Sequence, residues 1–403
     1  MRELKSLSFD MLHKAAGVLS EVIRETDVIL SRNLVDNCEL WLKTENLQVT
    51  GSFKVRGAYY KMSLMSDEEK AKGVIACSAG NHAQGVALAA QRAGISATIF
   101  IPSVAPLFKI EATKRMGAKI EIVDGVYDDA YKAAVAACEK TGSAFVHPFD
   151  DVDVIAGQGT VGLEIMNQIA DLDAVVVPIG GGGLISGVAY AVKTINPSCK
   201  VYGVQAAGAD SMFHSFKNAE LTHIPHVNTF ADGIAVKSPG ELTYEFCRKY
   251  VDDIVTVTDD EIATAILGLM EHQKLMAEGA GAVAVAAVMS GKLPVRGNVC
   301  ALVSGGNIDM NILSRVINRA LLTTGRFSEL TIEMLDKPGQ LQQVSTIVAD
   351  AGANVVKVVH NYGGEDSDIA GCLLRLSLET KNKEHFAEVK AALRANGFKI
   401  VRE

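Results

Sequence analysis

From about residue 70 to residue 310 the chain alternates between short, unbroken apolar runs and longer stretches whose apolar positions recur at helical spacing. Gly73-Val74-Ile75-Ala76-Cys77 reads as a strand before a helix over Asn81 to Ala93. Ala97-Thr98-Ile99-Phe100-Ile101 reads as a strand before a helix over Ala105 to Met116, and Ala174-Val175-Val176-Val177-Pro178 as a strand before Leu184 to Ile195. Lys200 to Gln205 and Cys300-Ala301-Leu302-Val303 repeat the strand pattern. Apolar runs without polar alternation suit strands buried on both faces, so the pattern predicts parallel α/β sheets with ligands at the carboxyl ends of the strands.

Beyond Gly325 the period changes. Leu330 to Met334 alternates, Asp336-Lys337-Pro338-Gly339 turns, Leu341 to Ala351 is helical, and Ala353 to His360 returns as a strand. Ala370 to Thr380, Glu384 to Ala395 and Phe398 to Arg402 add strand, helix and strand. The result is βαββαβ in about 75 residues, a small ferredoxin-like domain.

A chain of 403 residues is too long for one ordinary core, and its 48% hydrophobic and 21% charged content describes a folded rather than a disordered chain. The net charge of -8 and the lack of a basic stripe argue against nucleic acid. The N-terminus mixes charges where a secretory signal would be apolar, and no 18-residue uncharged apolar run occurs, so a cytoplasmic protein without membrane spans is expected. Seven scattered cysteines show no CxxC or Cys/His ligand spacing, which predicts free thiols and no metal site.

Candidate chemistry lies in the loops. Lys54 stands in Thr50-Gly51-Ser52-Phe53-Lys54-Val55-Arg56-Gly57-Ala58, where Phe53 and Val55 strip water from an ammonium and favour its neutral, nucleophilic form. Such an amine can hold an aldehyde cofactor; a solvated surface lysine at the start of a helix is the plainer alternative. Gly180, Gly181, Gly182, Gly183 and Leu184 join a strand to a helix and leave backbone N–H groups open to a phosphate. A dinucleotide GxGxxG and a Walker GK[ST] both fail on spacing. Ser78-Ala79-Gly80-Asn81-His82 offers donors suited to a carboxylate, with an ordinary N-cap as the alternative, and Ser304-Gly305-Gly306-Asn307 puts a hydroxyl at another strand end.

These four loops, in this order, resemble the serine/threonine dehydratases of pyridoxal-phosphate fold type II over roughly residues 10 to 325. The C-terminal segment resembles an ACT domain through Asp336-Lys337-Pro338-Gly339-Gln340-Leu341 and Gly352-Ala353-Asn354-Val355. The resemblance implies a tryptophan synthase β-like core over residues 1–325, its small subdomain (about 48–146) inserted in the large one, and an ACT domain over 326–403. It implies Lys54 as the Schiff-base lysine, Gly180 to Leu184 as the phosphate cradle and Ser304 facing the pyridine nitrogen. Asn81 would bond the phenolic oxygen, Phe53 would pack on the ring, and Gly233 and Glu278 would lie near it. Ser78 with the backbone of Ala79, Gly80, Asn81 and His82 would hold the substrate carboxylate.

The implied activity is threonine ammonia-lyase, with serine a second substrate; a serine or hydroxyaspartate dehydratase and a non-catalytic amino-acid sensor are the alternatives. An amino-acid effector, isoleucine or valine on metabolic grounds, would bind near Asp336, Gly339, Leu341 and Asn354, in a dimer or tetramer. Related serine racemases carry a second serine where Ala79 stands and a divalent-metal pair where Gln205 and Ser211 stand, so elimination is favoured over racemisation and that metal site is not expected. Asp27 replaces a proline common in relatives.

Overall fold

The unbroken apolar runs become the central strands of two sheets in a computed structural model that describes residues 6–105, 107–362 and 370–402. The chain first lays down β1 (Val28–Ser31) and β2 (Glu39–Lys43). It then builds β3 (Val74–Cys77), β4 (Ala97–Pro102), β5 (Lys119–Val123) and β6 (Ala144–Phe145). It returns with β7 (Ala174–Pro178), β8 (Lys200–Ala206), β9 (Asp253–Val257) and β10 (Asn298–Leu302). The six-stranded sheet has the order β1-β2-β10-β7-β8-β9 and the four-stranded sheet β5-β4-β3-β6. The smaller sheet is thus an insertion between two strands of the larger. Every neighbour pair is parallel except β1 with β2.

Burial follows the pattern that predicted these strands: β3 and β7 are buried along their whole length, covered by helices on both faces. Val175, Val176 and Val177 are fully enclosed, each contributing on the order of 1.5–3 kcal/mol of apolar burial. Helices approach closely where glycines permit it. A Cβ on Gly187 of the helix Gly183–Ile195 would meet the Ile155 carbonyl of the helix Val152–Gln168. The helix Lys54–Ser63 is wedged in the same way, since a Cβ on Gly157 would sit 2.7 Å from the Arg56 carbonyl and one on Gly85 3.0 Å from the Lys54 carbonyl carbon.

One face of that wedged helix carries a buried ionic network. Arg56 Nε and Nη2 donate to Glu45 at 2.8 and 2.7 Å, and Nη2 also reaches Glu164 Oε2 at 2.8 Å. Lys43 Nζ donates to Glu164 at 2.6 Å and to the Thr26 carbonyl at 2.7 Å. Two cations meet two carboxylates. Burial alone would raise the Glu45 carboxyl, but Arg56 and Lys43 outweigh it and hold it below its ordinary value.

Two compact units are resolved, Met1–Met310 and Asn311–Glu403. The helix Met310–Thr323, which the sequence reading placed in the core ending at residue 325, falls almost wholly in the second unit. That unit continues with β11 (Phe327–Leu335), a helix Gln340–Asp350, β12 (Asn354–Tyr362), β13 (Gly371–Glu379), a helix Lys383–Ala395 and β14 (Lys399–Arg402). Its antiparallel sheet has the order β12-β13-β11-β14. β11 buries alternate residues, as its polar alternation predicts for a sheet with one solvated face. All seven cysteines are free thiols, and among the described residues no helix is long and apolar enough to cross a membrane.

Candidate active site

The site assembles where strands of both sheets of the first unit end. The Lys54 loop is laced to the loop after β10: Phe53 N–H donates to the Ser304 carbonyl at 3.2 Å, Gly306 N–H to the Gly51 carbonyl at 2.8 Å, and Asn307 Nδ2 to the Thr50 carbonyl at 2.8 Å. Lys54 opens its helix, with Phe53 as a half-buried N-cap. Its Nζ donates to the Pro148 carbonyl at 3.0 Å and stands 5.2 Å from the Phe53 ring centre. Burial pushes the Lys54 amine down to about 8, against an upward pull from the Glu278 carboxylate. A neutral amine is therefore accessible near physiological pH, which an ordinary lysine does not offer.

Asn81, at the start of the helix that follows β3, donates from Nδ2 to Glu278 Oε1 at 2.6 Å and accepts from Asn307 Nδ2 at 2.9 Å. Gly233 and Gly305 stand against the same carboxylate; a Cβ on Gly233 would lie 3.3 Å from Glu278 Oε1, and one on Gly305 would collide with it. Ser304 is buried, its hydroxyl 3.4 Å from the Ala280 carbonyl. Ser78 Oγ accepts the Gly80 N–H at 3.1 Å, so this loop folds on its own serine and turns its backbone into the helix start. Buried His82 points away, donating from Nε2 to the Val146 carbonyl at 2.8 Å. Burial and the Lys54 charge push it down to about 3, so its imidazole is held neutral.

The tetraglycine loop follows β7. Gly182 has φ +98°, in the left-handed region that a side chain disfavours. A Cβ on Gly181 would run into the Phe149 ring, and one on Gly183 would lie 2.8 Å from Phe149 Cα. Leu184 is buried in the core behind the loop. The first four N–H groups of a helix lack intrahelical partners, and no side chain caps this one. Donors arranged in this way can receive an anion.

Several positions beside the candidate site were not legible in the sequence. Ser52, two residues before Lys54, has a buried hydroxyl without a protein partner. The segment His147-Pro148-Phe149-Asp150 links the lysine to the glycine loop: Pro148 takes the amine's hydrogen bond and Phe149 underlies the glycines. His147 Nδ1 accepts the Asp150 N–H at 2.7 Å, and burial pushes this imidazole down to about 4. The signal was slight because β6, which delivers the segment, is two residues long. Gln205 and Ser211 are engaged elsewhere, Gln205 Oε1 accepting from Phe213 N–H at 2.7 Å and Ser211 Oγ donating to the Val236 carbonyl at 3.0 Å.

The model of the family described as "Pyridoxal-phosphate dependent enzyme" matches residues 19–305. The chain belongs to that family. An L-threonine ammonia-lyase from Thermotoga maritima is 49% identical over 397 residues, 98% of this chain and 99% of its own length. Among solved structures, the processed form of threonine deaminase isoform 2 from Solanum lycopersicum is 39% identical with a TM-score of 0.74, over 78% of this chain and 95% of that one. Maize serine racemase is 35% identical with a TM-score of 0.73, over 78% of this chain and 98% of that one. The first unit therefore has pyridoxal-phosphate fold type II. The residues fit the family's cofactor on their own chemistry: a desolvated amine for its aldehyde, side-chain-free helix N–H groups for its phosphate, and a neutral buried hydroxyl at Ser304 for its ring nitrogen.

In the second unit the four residues proposed for an effector do not form one cluster. Asp336 N–H donates to the Ala370 carbonyl beside the start of β13, and Gly339 caps the next helix with φ +90°. Leu341 is exposed. Asn354 instead pairs with Glu379 at the other end of β13, donating to its carboxylate at 2.8 Å. Nine residues of extended strand separate the two ends.

Proposed function

We propose that this chain deaminates L-threonine to 2-oxobutanoate and ammonia by α,β-elimination of water, with L-serine as a second substrate. The carrying observation is the Lys54 amine, brought down to about 8 and tied through Pro148 and Phe149 to the glycine cradle. Full-length similarity to the Thermotoga L-threonine ammonia-lyase supports the same reading. Pyridoxal phosphate, when bound, supplies an aldehyde for a covalent link to an amine and a π-system that accepts the electron pair of a broken Cα–H bond.

The chain's residues do the rest. The N–H groups of Gly180 to Leu184 would hold the phosphate, Ser304 would face the ring nitrogen without charge, and Asn81 would bond the phenolic oxygen, its amide oriented by Glu278. Ser78 and the N–H groups from Ala79 to His82 bind the substrate carboxylate at a helix start, where the dipole favours an anion. Lys54, its charge disfavoured by burial, would take the Cα proton. Loss of the β-hydroxyl together with one proton, the equivalent of the one taken from Cα, would give water and 2-aminocrotonate, whose hydrolysis gives the oxo acid and ammonia. On the resemblance to serine racemases, Ala79 would stand where they carry a second serine, so return of a proton to the opposite face is not expected.

An absorbance spectrum of the full chain with pyridoxal phosphate, for wild type and Lys54→Ala, coupled to a 2-oxo-acid assay, tests the reading. A Lys54-dependent band and release of 2-oxobutanoate are expected. A band with turnover of L-serine or hydroxyaspartate alone would favour those dehydratases, and no band would favour an amino-acid sensor.

The second unit, with its βαββαβ order, we read as an ACT domain that binds an amino-acid effector and makes the chain allosteric. The Asp336–Leu341 turn of one copy and the Asn354 end of another would form the effector site, because one copy keeps them at opposite ends of β13. Equilibrium dialysis with isoleucine and valine, alongside the oligomeric state by sedimentation, tests this. A cytoplasmic homo-oligomer serving isoleucine biosynthesis is the setting that fits these features.

A further inference from the structure

Four consecutive glycines leave their peptide planes without an intrinsic orientation, because no side chain biases φ and ψ. An anion cradle needs its N–H groups aimed one way, so something outside the loop must choose. At Gly181 that choice falls to Thr243, on the first turn of the helix Glu241–Tyr250. The Thr243 hydroxyl donates to the Gly181 carbonyl at 2.6 Å. The Gly240 N–H is shared between Thr243 Oγ1 at 3.1 Å and the same Gly181 carbonyl at 3.4 Å.

A trans peptide points its carbonyl and the following N–H in opposite directions. Fixing the Gly181 carbonyl on Thr243 therefore turns the Gly182 N–H away from the Gly240 turn. Gly182, at φ +98°, lies where glycine moves freely, so without the hydroxyl this peptide could flip and present a carbonyl to an anion. Thr243 is itself closely held: it is fully buried, its N–H donates to Asp150 Oδ1 at 3.1 Å, and its Cβ leaves only 2.8 Å to a Cβ built on Gly182.

We propose that Thr243 is a positioning residue for the cofactor phosphate, its hydroxyl orienting the tetraglycine loop and so selecting phosphorylated over unphosphorylated pyridoxal. The inference rests on the reading that this loop holds that phosphate.

Thr243→Val keeps the buried volume and removes the hydroxyl. Titrating the cofactor-free full chain with pyridoxal phosphate and, separately, with pyridoxal isolates the phosphate. We expect Thr243→Val to lose about tenfold or more in affinity for pyridoxal phosphate, the scale of an unmet buried hydrogen bond, while binding pyridoxal as wild type does. Thr243→Ser, which retains the hydroxyl, should restore the difference. Equal loss for both ligands would mean that Thr243 merely caps its helix and would overturn the inference; so would no loss for either. Should the valine not fold at this tight contact, Thr243→Ala repeats the comparison without added bulk. Failure of wild type to prefer pyridoxal phosphate over pyridoxal would sink the phosphate reading of the loop itself, and this proposal with it.

Discussion

Asn81 and Glu278, 197 positions apart, are joined by a 2.6 Å hydrogen bond from amide to carboxylate, and the same carboxylate raises the pKa that burial lowers at Lys54. One carboxylate thereby helps to orient the Asn81 amide and opposes the effect of burial on the nucleophilic amine. Glu278→Gln keeps the shape and removes the charge, so the Lys54 amine should fall further below its ordinary value. Pyridoxal phosphate uptake by the cofactor-free chain needs the neutral amine; its rate should reach half-maximum at a lower pH in Glu278→Gln than in wild type. An unchanged midpoint would remove Glu278 from this role.

His82 and His147 are held neutral by burial, at about 3 and about 4 against an ordinary 6.5. An unfolded chain protonates both as pH drops below 6.5 while the folded chain does not, so stability is fully present above 6.5 and declines toward the folded values. Urea midpoints measured from pH 7 to pH 5 should fall, and they should fall less steeply for His82→Gln.

Arg56→Met leaves Glu45 and Glu164 facing a buried apolar side chain. The expected loss is about 3–5 kcal/mol, the usual penalty for stranding a buried charge. Replacing Arg56 and Glu45 together by apolar residues should cost less than the sum of the single changes, because the second removes a charge the first stranded. Additive losses in urea unfolding would show that the network is not a unit.

Two glycines give opposite results on change to alanine. Gly17, inside the helix Phe9–Leu19, has open space around it, and Gly17→Ala should stabilise by about 0.5–1 kcal/mol. Gly187→Ala pushes a methyl group into the Ile155 carbonyl and should cost about 1–3 kcal/mol. Thermal unfolding of the two variants against wild type checks both signs.

Much of the first unit was legible because local chemistry coincides with global placement. Val74 to Cys77 and Val175 to Val177 are apolar without interruption since both faces of their strands are covered, and each strand end carries the glycine or serine that its loop requires. The helix bounds Asn81–Ala93 and Gly183–Ile195 fall within a residue of those expected, since the preceding glycines stop the strands so sharply. Lys54 was conspicuous through its apolar and glycine neighbours.

What the sequence could not carry is any relation that depends on chain segments meeting. Asn81 and Glu278, Lys54 and Pro148, Gly181 and Thr243 are partners only because two sheets bring their strand ends together. Asp336 and Asn354 are expected at one effector site from their two motifs, yet within one copy the antiparallel register of β13 sends them to opposite ends. Residue identity thus determined the chemical groups available to this protein, their local backbone shapes and the alternation of its elements. Tertiary structure alone decided which groups share a site and which amine loses its water, because hydrogen bonding and desolvation depend on distance in space and not along the chain.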